Sequence, residues 1–151
     1  MFTLRPLAVL IASLTLMISS VPALAVQSPA DPIDPSAVQL NPGEQNGVTY
    51  LSGGIGQDEA QAIRQTRGYN LHLEFFAGPT DEFTSDVDVS IQSPNGKQWL
   101  MLNQTGPIVL VKLPQGQYQV TLSRNGNVKK ENVTISASGA KTVNVHWNSL
   151  N

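Results

Sequence analysis

The stretch YQVTLSRNGNVKKENVTIS, residues 118–136, decides the fold expected of this chain. In its first half Tyr118, Val120 and Leu122 alternate with polar residues, which is the period-two pattern of a strand with one buried face. The Asn-Gly pair near its centre favours the two-residue turn that joins antiparallel strands, because both residues tolerate positive φ angles. The stretch therefore predicts a β-hairpin with one wet and one dry face.

Segments of the same kind recur from Val48 onwards, separated by turn residues at intervals of about 8–12 residues, as in antiparallel sandwiches. Stacking two sheets by their dry faces would bury the alternating apolar residues. The sequence therefore predicts an all-β, antiparallel β-sandwich of about seven or eight short strands. The candidate strands are VTYLS (48–52), YNLHLEFF (69–76), DVDVSIQ (86–92), QWLML (98–102), PIVLVKL (107–113), YQVTLS (118–123), VKKENVTIS (128–136) and KTVNVHW (141–147).

The stretch SGGIGQDEAQAIRQTRGYN, residues 52–70, departs from this pattern. Its glycines predict a sharp turn, in which Ile55 is expected to be an apolar anchor. One short helix should follow from Gln57 or Asp58 and end in a left-handed cap at Gly68. We expect this helix near the start of the domain to be a lid on one edge or end of the sandwich.

The glycine turn and helix have two functional interpretations besides a lid. A phosphate-binding loop is disfavoured, because acidic residues follow the glycines where a phosphate loop needs Lys and Ser or Thr. A partner-binding surface around the polar face of the helix remains open, with Glu59, Arg64 and Arg67 as its candidate residues.

The first 25 residues have the pattern of a secretory signal peptide. Arg5 precedes an apolar run, and Ala23-Leu24-Ala25 matches a small-x-small cleavage site, so cleavage is expected after Ala25. We expect no membrane span after cleavage, and a periplasmic or secreted location in a bacterium. The chain contains no cysteine, so its core alone must hold the domain together.

Residues 26–47 contain four prolines and few apolar side chains, which predicts a disordered linker. The folded domain is then expected to span residues 48–151. The net charge of the whole chain is −2, and no basic patch is evident, which argues against nucleic acid as a partner. No cofactor is predicted.

Two sets of residues are weak candidates for metal binding. His72 and Glu74 share the polar face of one strand, and His146 lies on the polar face of the last strand, so the three are a possible zinc or copper set. Asp86 and Asp88 lie in an acidic run that is a possible calcium site, although the spacing of a calcium loop is absent. The simpler interpretation of both sets is solvated side chains, so no metal is expected.

The stretch GPIVLVKLPQGQYQVTLSRNG, residues 106–126, resembles the central signature of transthyretin-like (prealbumin-like) domains, which include the carboxypeptidase regulatory-like and collagen-adhesin B-type modules. The shared kernel is Leu113, Pro114, Gly116, Tyr118 and Val120. The resemblance implies that Leu113 ends a strand, that Pro114 and Gly116 turn the chain, and that Tyr118 plugs one end of the sandwich. The chain also resembles small exported bacterial proteins with one such domain. Binding or scaffolding is implied, without an active site.

The sequence therefore predicts a non-catalytic, exported module that binds another protein of the bacterial envelope. The alternative is a carbohydrate- or metal-binding module, in which Tyr50, Trp99 and Trp147 are the candidate residues for stacking on a glycan. A small hydrolase is the third class, but the sequence has no Gly-x-Ser-x-Gly nucleophile elbow.

Overall fold

The computed structural model describes residues 34–148, so the predicted signal peptide and the first part of the predicted linker lie outside the described residues. The chain forms two β-sheets and one α-helix, which confirms the predicted all-β sandwich with one short helix. The elements are a 3₁₀ turn (Pro35–Ala37), β1 (Gly43–Gln45), β2 (Val48–Gly53), α1 (Gln57–Gln65), β3 (Leu71–Ala77), β4 (Glu82–Phe83), β5 (Val87–Gln92), β6 (Gln98–Thr105), β7 (Ile108–Lys112), β8 (Gly116–Arg124), β9 (Asn127–Ile135) and β10 (Lys141–Trp147).

One sheet has the strand order β1-β2-β7-β3-β10, with β4 paired to the end of β3, and the other has the order β6-β5-β8-β9. The strand pairs are antiparallel except β3 and β10, which run parallel from Leu71 opposite Lys141 to Ala77 opposite Trp147. All eight predicted strands are present. The short strands β1 and β4 were not predicted.

The main core lies between the two sheets, where the alternating residues predicted to point inward are buried. In β3, for example, Leu71, Leu73 and Phe75 face the core, and His72 and Glu74 face outward. The rings of Phe75 and Trp147 pack edge to face in this core, with their centroids 6.1 Å apart. The period-two pattern thus places the dry face of β3 correctly.

A second, smaller core lies on the outer face of the six-stranded sheet, under α1. Ile63 of the helix packs there with Leu51 of β2 and with Ile108 and Leu110 of β7. The helix therefore covers a face of the sheet, and the prediction of a lid on an edge or end is wrong. The physical reason is that β7 is apolar on both faces, so the face turned away from the main core also needs a cover.

The helix ends earlier than predicted. Its last residue is Gln65, and Thr66 caps it with extended backbone, its hydroxyl donating to the carbonyl of Ala62 at 2.9 Å. Gly68 does have a positive φ of 96°, but it lies in the loop beyond the cap. A side-chain hydrogen bond from threonine has taken the place of the left-handed glycine cap.

Ordered structure also begins earlier than the predicted domain boundary at Val48. The strand β1 lies inside the predicted linker and forms a hairpin with β2 through Asn46 and Gly47, both at positive φ. Leu40 packs against the core under α1. The segment has the composition of a linker, which is why the sequence did not predict a strand there. A strand of three residues can still form, because β2 supplies a sheet edge with which it pairs.

The turn predicted from the Leu-Pro-x-Gly kernel is present. Leu113 is buried directly after β7, and β8 begins at Gly116. The hydroxyl of Tyr118 donates a hydrogen bond to the carbonyl of Pro114 at 2.7 Å. Burial raises the pKa of the Tyr118 phenol above its usual value. A buried ring with a bonded hydroxyl thus ties the turn to the core.

Candidate functional site

The glycine turn before α1 is held by the protein's own carboxylate. Glu59 Oε2 accepts hydrogen bonds from the backbone amides of Gly54 and Ile55, at 3.0 and 2.9 Å. These are the amide groups that a phosphate loop would direct at its ligand. Glu59, predicted to lie on a partner-binding face, therefore stabilises the turn internally. A glutamate at the third helical position, as in a capping box, is the sequence signal that predicts this role.

Ile55 projects from this turn into solvent. Its side chain is 73% exposed, so the prediction that it anchors the turn in the core is wrong. The turn is fixed instead by Glu59 and by the positive φ angles of Gly54 and Gly56, which are 95° and 100°. An isoleucine is thus presented on a tightly held turn without burying its own surface.

Arg64 lies on α1, one turn after Ala60, and its side chain is half exposed. Its guanidinium makes two hydrogen bonds to the carboxylate of Glu74 on β3, at 2.8 and 3.0 Å, and these bonds raise the pKa of the guanidinium. The guanidinium carbon also lies 4.9 Å from the centroid of the Phe83 ring. Glu74, a metal candidate in the sequence, is therefore the partner that orients Arg64.

Phe83 is supplied by the unpredicted strand β4. Pairing with the end of β3 places its ring on that of Phe76, with centroids 5.0 Å apart. The side chain is nevertheless 39% exposed. The ring is thus held between Phe76 and Arg64 with one part open to solvent.

Ile55, Arg64 and Phe83 border a groove of about 510 Å³ between α1, the glycine turn and β4, which we call the helix groove. Its walls are mostly apolar, and the amides of Gln57 and Gln61 add hydrogen-bonding groups. This arrangement suits an apolar side chain flanked by polar backbone. The lining residues are Gly54, Ile55, Gly56, Gln57, Ala60, Gln61, Arg64, Phe83, Ser85 and Pro107.

Of the three predicted partner-binding residues, Arg64 alone lines the helix groove. Arg67 is exposed in the loop after α1. Ile55 and Phe83 were not predicted to contribute to a site, because their proximity depends on where β4 joins the sheet.

The histidines proposed for metal binding are not brought together. His72 lies opposite Thr142, whereas His146 lies opposite Phe76, four positions further along the ladder and about 13 Å away by strand geometry. His146 Nε2 lies 2.9 Å from Asp81 Oδ1 and 2.8 Å from the carbonyl of Gly78. Within residues 34–148, no group of three or more His, Asp and Glu residues is arranged to hold a metal ion.

The two aspartates proposed for calcium are exposed near the start of β5. Asp88 Oδ1 accepts a hydrogen bond from the amide of Gln104 at 2.9 Å. The register of β5 against β6 shifts beside this bond, and Gln104 has a φ of 51°. Asp88 therefore satisfies a donor at an irregularity in the sheet, which is a structural role. Asp86 also has a positive φ, of 61°, and its side chain contacts Ser85.

The aromatic residues proposed for glycan stacking do not form a shared platform. Trp147 is buried in the main core. Lys97 Nζ lies 3.6 Å from the centroid of the Trp99 ring, and the rings of Trp99 and Tyr118 pack edge to face with their centroids 6.1 Å apart. The ring of Tyr50 packs against the main core between the two sheets. Neither tryptophan therefore offers a free, flat surface.

No family model matches this chain, and no curated protein matches it either. Among residues 34–148, α1 and the 3₁₀ turn are far too short to span a bilayer.

Proposed function

We propose that this protein is a non-catalytic binding module of the bacterial envelope, which recognises another envelope protein through the helix groove. The observation that carries this proposal is the pair of exposed apolar side chains, Ile55 and Phe83, that line one groove with Arg64. Exposed apolar groups that border a shaped groove are typical of protein interaction sites.

The composition of the groove supports recognition of a polypeptide. Aromatic residues and arginine are enriched in the binding hot spots of protein interfaces. Arg64 is already oriented by Glu74, so binding would not have to order this long side chain. A partner that inserts an apolar side chain would bury Ile55 and Phe83 and could place backbone carbonyls beside Gln57 and Gln61.

The non-catalytic part of the proposal rests on the histidines. His146 faces Asp81 and the carbonyl of Gly78. Among the described residues 34–148, the side-chain hydrogen bonds include none from a serine or threonine hydroxyl to a histidine, the pairing that activates a nucleophile. The transthyretin-like resemblance agrees with a binding or scaffolding role. Export rests on the predicted signal peptide.

The glycan- and metal-binding alternatives have less support. Trp147 is buried, Lys97 covers Trp99, and the two histidines lie apart in the sheet.

The proposal is tested by affinity capture from envelope extracts of the native host, comparing the wild type with Ile55→Asp. The matched control is Met101→Asp, which places the same charge on another exposed apolar residue, in the opposite sheet. We expect a protein that is captured by the wild type and by Met101→Asp and is lost with Ile55→Asp. Equal melting temperatures for the two variants would exclude unfolding as the cause. Retention of every captured protein by Ile55→Asp would overturn the proposal.

A further inference from the structure

The strand β4, which carries Phe83 into the helix groove, is anchored at its end by the fold itself. The residue after it, Thr84, is buried, and its amide donates to the carbonyl of Phe75 at 3.0 Å. The two residues of β4 itself are exposed, and they pair with the end of β3. A short exposed element of this kind opens locally at low free energy unless both of its ends are held. The contacts at the start of β4 therefore decide how firmly the Phe83 ring is placed.

The start of β4 is held by a histidine from another strand. The turn from β3 to β4 begins at Gly78, with a φ of 79°, and ends at Asp81, with a φ of 52°. The Nε2 atom of His146 lies 2.8 Å from the carbonyl oxygen of Gly78 and 2.9 Å from Oδ1 of Asp81. Both of these oxygens are acceptors, so Nε2 carries a hydrogen and donates it. One N–H group thus joins the two ends of the turn.

The register of the six-stranded sheet brings this histidine to the turn. His146 lies opposite Phe76 in the parallel pair of β10 and β3, and Phe76 lies opposite Phe83 in the pair of β3 and β4. Residues directly opposite each other on neighbouring strands point to the same face of a sheet. The three side chains therefore form one row across the outer face. The row ends at the helix groove, where Arg64 also contacts the Phe83 ring.

We infer that His146 is a positioning residue for the helix groove. By holding both ends of the turn before β4, it keeps the Phe83 ring against Phe76 and beside Arg64. The inference rests on the function proposed for the groove and adds to it a residue that lies outside the groove lining. A partner that binds against Phe83 then meets a wall that is already in place and does not have to order β4 on binding.

Amide hydrogen exchange and NMR spectra of His146→Ala test this role without any partner. Hydrogen-bonded pairs alternate along an antiparallel ladder, so the bond at Thr84 assigns the next one towards the turn to Glu82. We expect the Glu82 amide to exchange about tenfold or more faster in His146→Ala, because the bonds that hold the turn are lost. The ring-proton shifts of Phe83 should also move, because the ring leaves the face of Phe76.

Two further variants separate positioning from a general loss of stability. His72→Ala is the matched control, because it makes the same substitution on the same face of the sheet, opposite Thr142 and away from the turn. It should leave the Glu82 amide and the Phe83 shifts unchanged. His146→Gln keeps a side-chain N–H of similar reach and should restore both readouts towards the wild type. A general destabilisation would instead speed amide exchange throughout both sheets in His146→Ala.

The consequence for binding is measured with peptides from a displayed random library, selected on the wild type and counter-selected against Ile55→Asp. We expect such peptides to bind His146→Ala about tenfold more weakly and to bind His146→Gln and His72→Ala like the wild type. Failure to select any such peptide would count against the proposed function, whereas the exchange measurement would still decide the placement of β4. Unchanged exchange at Glu82 in His146→Ala, or unchanged affinity for a selected peptide, would overturn the inference.

Discussion

The side-chain amide of Gln45 makes two hydrogen bonds to the backbone of Met101, with Nε2 donating to the carbonyl at 3.2 Å and Oε1 accepting from the amide at 2.5 Å. Gln45 belongs to β1 in one sheet, and Met101 belongs to β6 in the other. The amide group thus takes the place of a neighbouring strand along β6 and closes one side of the sandwich. Without it, an edge strand with an exposed methionine would be open to pairing.

Replacing Gln45 with alanine should therefore destabilise the fold and expose β6. Two lost hydrogen bonds of about 0.5–1.5 kcal/mol each predict a loss of about 1–2 kcal/mol, since the site is partly hydrated. Urea unfolding of Gln45→Ala measures this loss. The control is Glu44→Ala, whose side chain is exposed on the same strand. Equal unfolding midpoints for the two variants would show that the amide of Gln45 does not hold the sheets together.

The position of β1 also predicts where the folded domain can be truncated. A chain that begins at Asp34 should melt like the full protein, whereas a chain that begins at Val48 should lose about 2 kcal/mol or more. The second chain lacks β1, both bonds of Gln45 and the packing of Leu40. Both chains should be expressed behind the same leader and compared by thermal unfolding. Equal melting temperatures would contradict the role assigned to this segment.

Alternation in the sequence located strands such as β3, β5, β8 and β10 together with their inward faces, because each has enough residues for the period to be visible. The strand β7 was located instead by its short apolar run. The strands β1 and β4 have three and two residues, so their pairing depends on an edge supplied by distant parts of the chain. The position of α1 could have been predicted better. The run IVLVK in β7 is apolar at successive positions, which indicates that both faces of that strand are covered.

The candidate site was predictable only in part. Arg64 is recognisable as a charged residue on the polar side of an amphipathic helix. The proximity of Ile55 and Phe83 cannot be recognised from the sequence, because the two residues are distant along the chain. They line the same groove only because β4 pairs with the end of β3. The role of Glu59 follows from its position three residues into the helix. Glu59 was predicted to lie on a partner-binding face, but its carboxylate bonds to the amides of the turn instead.

The glycines of the turn make different contributions. A Cβ on Gly54 would lie 3.0 Å from Cγ1 of Ile108, whereas a Cβ on Gly56 would meet no atom within 4 Å. Both residues have φ angles near 100°, so alanine costs each about 1–2 kcal/mol in the backbone. Gly54→Ala should cost about 1–3 kcal/mol more than Gly56→Ala, because the core under α1 must also shift. Chemical denaturation of the two variants measures the difference, and equal stabilities would contradict it.

The buried phenol of Tyr118 should lower the free energy of unfolding at alkaline pH. Burial raises the pKa of its phenol in the folded protein, so above a pH of about 10 the unfolded chain loses this proton before the folded chain does. The folded state then binds more protons, and the free energy of unfolding falls as the pH rises.

The variant Tyr118→Phe isolates this effect from those of other residues that titrate in the same range. It should be about 0.5–1.5 kcal/mol less stable than the wild type at neutral pH, because it loses the bond to Pro114. Its stability should fall less steeply above a pH of about 10. Unfolding midpoints measured from neutral to alkaline pH give both quantities. Parallel curves for the two proteins would mean that the ionisation of Tyr118 is not coupled to folding.

The helix groove as a protein-binding surface is the central claim, and photo-crosslinking in living host cells tests it most directly. A photoreactive amino acid replaces Ile55 in one strain and Met101 in another, so that two exposed apolar positions are compared, one on the turn before α1 and one on β6 of the four-stranded sheet. The account predicts an adduct of one defined mass at position 55 that is absent at position 101. No adduct at position 55, or the same adduct at both positions, would contradict it.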